Sequence, residues 1–263
     1  MNEDYPKYFY KYRAVSNSDD LSKDYAIDAL LRNQAIFSSR KNFNDLFDSS
    51  IELIKPTPRE FKEIKSLVGK DDRRLLSECI HKGLFTPAGL ALINGFEESF
   101  NETIDSYGFM SVSKNPVSNL MWSHYADSHK GFCIEFRSEF MKAEKVSYQK
   151  VIPKLNTIDL HRLHFKIYEG DDIGHQIWRA LRTKLDEWEY ESEYRFQANN
   201  AMGRIPKGKK FIKIPYNENF VESIIFGCRM QDDVKKFIMR HMPGTVKFKQ
   251  AVARTSTVEI INI

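Results

Sequence analysis

Three acids stand at every second position in the stretch WEYESEYRF, Glu189, Glu191 and Glu193, with aromatic residues between them and Arg195 just after. On a β-strand, side chains two apart share a face. The sequence therefore predicts three carboxylates on one surface, with Tyr190, Ser192 and Tyr194 anchoring the other. Like charges at that spacing repel, a cost that a structural strand has no need to carry. A carboxylate fixed beside a place where positive charge develops can, in contrast, stabilise a transition state. A solvated edge, with either glutamate paired across to a lysine or arginine, explains the same residues without chemistry. Two other places carry groups that fit such a site: Arg13, which ends YKYR, and the hydroxyl pair of Ser111-Val112-Ser113.

The commoner catalytic signatures are missing. No GxGxxG, GxxxxGK[ST], GxSxG or HExxH occurs, so dinucleotide-fold, P-loop, hydrolase-elbow and zincin chemistries lack their key residues. His161 and His164 are three apart, and His124 and His129 five apart, with no obvious third ligand near either pair. No metal site is expected. Cys79, Cys133 and Cys228 form no CxxC pair and are odd in number, which fits reduced, mostly buried thiols.

The elements that must position the acids alternate strand and helix patterns. KYFYKYRAV is aromatic and alternating, which predicts a first strand ending near Arg13. The period changes at Ser18, and Asp19 or Asp20 is placed to cap a helix bearing Leu21, Tyr25, Ala29 and Leu30, before a strand at AIFSS. Thr57-Pro58 and Thr86-Pro87 each look like a helix start, with a hydroxyl cap followed by proline. The amphipathic runs around them predict a helical insertion over 55–106. YGFMSVS predicts a strand, NLMWSHYADS a short helix and GFCIEF a buried strand. The WEYESEYRF stretch, KFIKIPY and VESIIFG predict further strands, and MQDDVKKFIMRHM a late helix.

At 263 residues, 41% apolar and 13% aromatic, the chain can bury a substantial core, and a single elaborated domain over 1–263 is expected. No apolar run reaches the roughly 18 residues of a membrane helix, and MNEDYPKYFY has neither a basic start nor an apolar signal core. A cytoplasmic location without membrane contact is the expectation. The net charge of +4 permits a nucleotide or nucleic-acid partner without demanding one.

The segments YKYR, FNDLFD, SVSKNPVSNLMWSHYADSHKGFCIEF and WEYESEYRF together resemble a widespread bacterial family catalogued as domain of unknown function 2971, a name that supplies no activity. The order Arg13, Ser111-Val112-Ser113, Glu191-Ser192-Glu193 resembles ADP-ribosyltransferases of the Arg / Ser-x-Ser / Glu-x-Glu type. The gaps are longer than in compact toxins of that class, and the insertion 55–106 would account for much of the excess. This resemblance implies an α+β fold with a mixed, mostly antiparallel split sheet, and NAD as substrate. Cleaving the nicotinamide–ribose bond builds an oxocarbenium-like cation. A carboxylate about 4 Å away attracts it by about 4 kcal/mol at an effective dielectric of about 20, or about three decades of rate.

The roles implied are Glu193 stabilising that cation, Glu191 activating or orienting the acceptor, and Arg13 gripping the NAD phosphates. Ser111 would hold Arg13 or the ribose, with Ser113 as its neighbour. Tyr107, Trp122 or Tyr125 would supply a wall for nicotinamide, and His124 a bond to a ribose hydroxyl. Arg13, Ser111 and Glu193 are thus expected to converge in one cleft. Trp122 and Tyr125, three apart on a helix, fit a core stripe equally well.

Basic residues at Arg40-Lys41, Arg73-Arg74, Lys207 to Lys210 and Lys235-Lys236 place DNA or RNA narrowly ahead of protein as acceptor. A toxin or phage-defence role, and an inhibitory partner protein, fit the enzymes resembled. The competing expectations are a non-catalytic nucleotide- or partner-sensing module of a defence system, and an NAD hydrolase.

Overall fold

The alternating aromatic run near the start of the chain forms β1, Tyr8–Arg13, in a computed structural model that describes residues 5–17, 19–140, 142–170, 172–198 and 203–263. Ser18, where the sequence predicts the change of period, lies outside them. Helix α1, Tyr25–Leu31, is capped by Asp24 rather than by Asp19 or Asp20. The Asp24 carboxylate accepts from the backbone N–H groups of Ala26, Ile27, Ser16 and Asn17 and from the Ser16 hydroxyl. It thereby joins the helix start to the end of the preceding loop.

The chain divides into two compact units, one of residues 1–42, 107–148 and 186–263, the other of 43–106 and 149–185. The first is built on a ten-stranded sheet. Its other strands are β2 (Gln34–Ser38), β3 (Gly108–Ser113), β4 (Phe132–Arg137), β5 (Glu144–Lys145), β6 (Glu193–Ala198), β7 (Phe211–Pro215), β8 (Val221–Phe226), β9 (Lys247–Ala253) and β10 (Val258–Asn262). The pairing path runs β7-β2-β3-β1-β4-β8-β9-β10, with β6 on β3 and β5 on β6. All these pairs are antiparallel except β8 with β9. The fold is therefore α+β with a mixed, mostly antiparallel open sheet.

Strand β3 divides one of its edges between two partners. β1 pairs with it at Ser113 (to Tyr10) and β2 at Phe109 (to Ser38). Backbone groups two apart point to the same edge, so the Ser111 carbonyl opens into the gap between β1 and β2. Lys11 closes it, donating from Nζ to that oxygen at 2.6 Å.

One face of the sheet packs Phe9, Met110, Val112, Phe132, Ile134, Phe136 and Tyr194 against α1 and against α3, Asp232–His241. The other packs Tyr12, Cys133, Ile225 and Ala251 against Met121 and Trp122 of α2, Asn119–Tyr125. After α2 the backbone takes three consecutive left-handed residues, Asp127, Ser128 and His129, at φ 45°, 51° and 71°. Gly131 then passes so close to β1 that a Cβ would lie 2.0 Å from the Arg13 carbonyl oxygen, so only glycine fits.

The second unit carries the predicted helical segment. Helices Pro58–Leu67 and Pro87–Asp105 begin as the sequence predicts, with Thr57 and Thr86 accepting from backbone N–H groups and proline in the first turn. Helices Lys70–Glu78, Thr157–His164 and Ile173–Leu181 complete it. Phe61, Ile64, Leu76, Ile93 and Ile158 form its core. The insertion predicted over 55–106 thus belongs to a unit that also takes in 149–185. Among the described residues no helix is long and apolar enough to cross a membrane.

Candidate functional site

The WEYESEYRF stretch is not one strand. Asp186–Glu191 is a 3-10 helix, β6 begins only at Glu193, and Ser192 between them takes a left-handed φ of 47°. The alternation over three acids is broken at that residue. Glu189 is exposed, while Glu191 and Glu193 are buried, each about 4% accessible or less. Two of the three predicted carboxylates are therefore inside the protein. The expectation of one strand face shared by all three is corrected: a helical turn rotates Glu189 away, and Glu191 and Glu193 lie on either side of the Ser192 kink.

Each buried acid has its own partner. Tyr125, at the end of α2, donates its hydroxyl to Oε1 of Glu191. Arg195 meets Oε1 of Glu193 through Nε at 2.8 Å and Nη2 at 2.7 Å. Ser113 donates to the Glu191 carbonyl oxygen at 2.6 Å, and the Glu193 N–H donates to the Tyr148 hydroxyl at 2.8 Å. The kinked segment is thus gripped from β3 and from Tyr148, in the short strand Ser147–Gln149.

Register explains which residues join them. Directly paired residues of neighbouring strands put their side chains on the same face. Glu193 pairs with Ser113, Ser113 with Tyr10, Tyr10 with Glu135, and Glu135 with Ser223. Five strands therefore set a polar row across one face of the sheet. Glu135, 2% accessible, accepts from the Tyr10 hydroxyl at 3.1 Å, from Lys249 Nζ at 2.6 Å and from the Ser223 hydroxyl. Burial, reinforced by the Glu135 charge, raises the Tyr10 phenol well above its ordinary pKa. Ser111 lies opposite Arg195 in the same register. The partly buried rings of Tyr10, Tyr125 and Tyr190 border this face.

Ser113 lies opposite Glu193 and donates to the Glu191 carbonyl, Ser111 stands two positions along the same face, and Tyr125 reaches the Glu191 carboxylate. Exposed His124 lies beside Tyr190, its ring centroid 6.1 Å away. Arg13 does not join them. It pairs with Phe132 and follows Tyr12, so its side chain leaves the opposite face of β1, toward Tyr25 and Tyr216. Burial there pulls its pKa below the usual guanidinium value, while Tyr25 and Tyr216 act the other way. The expected convergence of Arg13 with Ser111 and Glu193 is corrected: strand alternation puts it across the sheet.

Trp122 is a core residue, fully buried, donating its indole N–H to the Pro116 carbonyl at 2.8 Å and packing edge-on to Tyr12. Tyr107 precedes β3 at the end remote from Ser113, about 20 Å along the strand at ~3.3 Å per residue. Arg204 lies over its ring at 5.6 Å.

Beyond the residues expected from the sequence, the structure adds Tyr10, Glu135 and Tyr148 to this region and gives Arg195 its partner, with Lys11 on the far face of β1. Burial lowers Lys11 to a pKa of about 7, with Arg13 adding to the effect and Glu193 and Glu191 opposing it. Lys11 leaves β1 on the same face as Arg13, so it feels the two carboxylates through the sheet rather than from beside them. Its signal in the sequence is a lysine inside an aromatic strand, two residues before Arg13. No group of three or more histidine, cysteine, aspartate or glutamate residues among the described ones is arranged to hold a metal ion.

Residues 121–196 match the model of a family described as a protein of unknown function, DUF2971. The match takes in most of α2, β4, β5, residues 149–185 of the second unit, the kinked acidic segment and the first four residues of β6. No curated protein and no solved structure matches the chain.

Proposed function

We propose that this chain is an NAD-dependent ADP-ribosyltransferase in which Glu193 stabilises the oxocarbenium-like cation and Glu191 serves the acceptor. The observation that carries the reading is the adjacency of β1, β3 and β6, which sets Glu191 and Glu193 beside Ser111 and Ser113 under a rim of tyrosines. Both acids lie where water is scarce and charges are weakly screened; for Glu193 to act on a cation, Arg195 must release part of its hold on the carboxylate. The phosphate grip assigned to Arg13 is dropped. DNA or RNA stays ahead of protein as acceptor.

In the test, purified protein is incubated with NAD labelled in its adenylate half, together with single-stranded DNA, RNA or cell lysate. Label should pass to a macromolecule with wild type and be lost with Glu193→Gln. Free ADP-ribose alone would identify a hydrolase. Absence of NAD consumption under every condition would sink both enzymatic readings.

One observation favours a second reading. Glu193 is 3% accessible and tied to Arg195, as in a structural ion pair of a non-catalytic sensing module. Nucleotide binding without turnover, unchanged in Glu193→Gln, would support it.

A further inference from the structure

A cavity of about 440 Å³ opens at the kinked end of β6, lined by Lys114, Lys145, Val146, Ser147, Tyr148, Glu189, Ser192 and Tyr194. We propose that it holds a nucleotide unit of a single-stranded nucleic acid, the strand that flanks the residue to be modified. This rests on the transferase reading and names the acceptor's docking place.

The volume lies within the range of about 300–1,000 Å³ usual for ligand sites. Its lining has what a nucleotide needs. Lys114 and Lys145 are exposed and present two ammonium groups to a phosphodiester, against the single carboxylate of Glu189. Tyr148, half-buried and fixed through its hydroxyl to the Glu193 N–H, offers a ring on which a base can stack without regard to sequence. The Ser147 and Ser192 hydroxyls can donate to phosphate oxygens.

The lysines have fixed origins. Lys114 directly follows β3, and its N–H donates to the Ser192 carbonyl at 3.1 Å. Lys145 stands opposite Tyr194 in the β5–β6 pair. The cavity therefore abuts the backbone of the Glu191–Glu193 segment rather than its carboxylates, the placement expected of a groove for flanking nucleotides.

The experiment is fluorescence anisotropy with a labelled single-stranded oligonucleotide, without NAD, over a salt series. Wild type should bind. The variant Lys114→Ala/Lys145→Ala should bind at least tenfold more weakly, with the slope of log affinity against log salt reduced by about 1.4, the value for two lost phosphate contacts. Tyr148→Phe should bind as wild type and Tyr148→Leu about tenfold more weakly. Unchanged thermal unfolding would show that the alanine variant is folded.

Equal affinity and salt slope in wild type and the double variant would overturn the inference, as would no binding by wild type or binding of an acidic peptide instead of the oligonucleotide. NAD consumption is followed separately. Free ADP-ribose formed without oligonucleotide binding would overturn this inference while leaving NAD cleavage intact. Lysine-dependent binding with no NAD cleavage would overturn the transferase reading alone.

Discussion

Glu193 and Arg195 stand two residues apart on one strand and are joined through a single carboxylate oxygen, with side-chain accessibilities of 3% and 0%. Both charges have lost their hydration, so each depends on what the protein supplies in its place. Arg195→Met should cost about 3–5 kcal/mol, the usual result of stranding one member of a buried pair. Glu193→Met/Arg195→Met should recover most of it. Urea unfolding of the three proteins measures this; an Arg195→Met variant as stable as wild type would refute the coupling.

Tyr125 bears on the other acid. Tyr125→Phe removes the hydroxyl that donates to Glu191 and keeps the ring. A loss of about 1.5–3 kcal/mol is expected, since the bond is to a charged group. Under the proposed chemistry the rate of NAD cleavage should fall more than in Tyr190→Phe. Equal rates in the two variants would remove Glu191 from the reaction.

Asp24 is fully buried and collects five hydrogen bonds from α1 and the loop before it. Asp24→Ala should cost about 3 kcal/mol, combining the loss of a helix cap with donors left buried and unpaired. Chemical denaturation would show it. A cost below about 1 kcal/mol would mean that water replaces the carboxylate.

His161 makes the second unit sensitive to acid. Its ring is fully buried between Phe61 and Phe96, with centroids 4.9 and 4.2 Å away, and neither nitrogen has a hydrogen-bond partner among the described residues. Burial, with His164 adding to it, lowers its pKa to about 4. An unfolded histidine titrates near 6.5, so between about pH 6.5 and 4 the unfolded chain binds a proton that the folded one refuses. Stability should therefore fall as pH drops through that window. His161→Phe should flatten the dependence, as judged by hydrogen exchange in Thr157–His164. A variant with the wild-type pH profile would show that another group is responsible.

Much of this arrangement could be read from the residues, for identifiable reasons. The Thr-Pro helix starts, the aromatic alternation ending at Arg13 and the apolar GFCIEF strand are local signals, and all three appear where expected. The kink at Ser192 is not local. Nothing in WEYESEYRF favours a left-handed serine; it is held by Ser113 and Lys114 from β3, 78 residues or more away in sequence. The opposite faces taken by Arg13 and Glu193 follow from register among three strands, and a single sequence gives register only weakly. The polar row through Tyr10, Glu135 and Ser223 was hidden for the same reason, since its members are scattered over more than two hundred positions.

The three left-handed residues after α2 have a different kind of consequence. Their turn lets the His129 carbonyl accept from Arg229 and the Gly131 carbonyl accept from Gly227, at 3.0 and 2.9 Å. The MWSHYADSHKGFCIEF block is thereby a knot of main chain that ties β1, β4 and β8 at one end. The block therefore sets architecture, whereas the proposed chemistry rests on Glu191 and Glu193, which lie outside it.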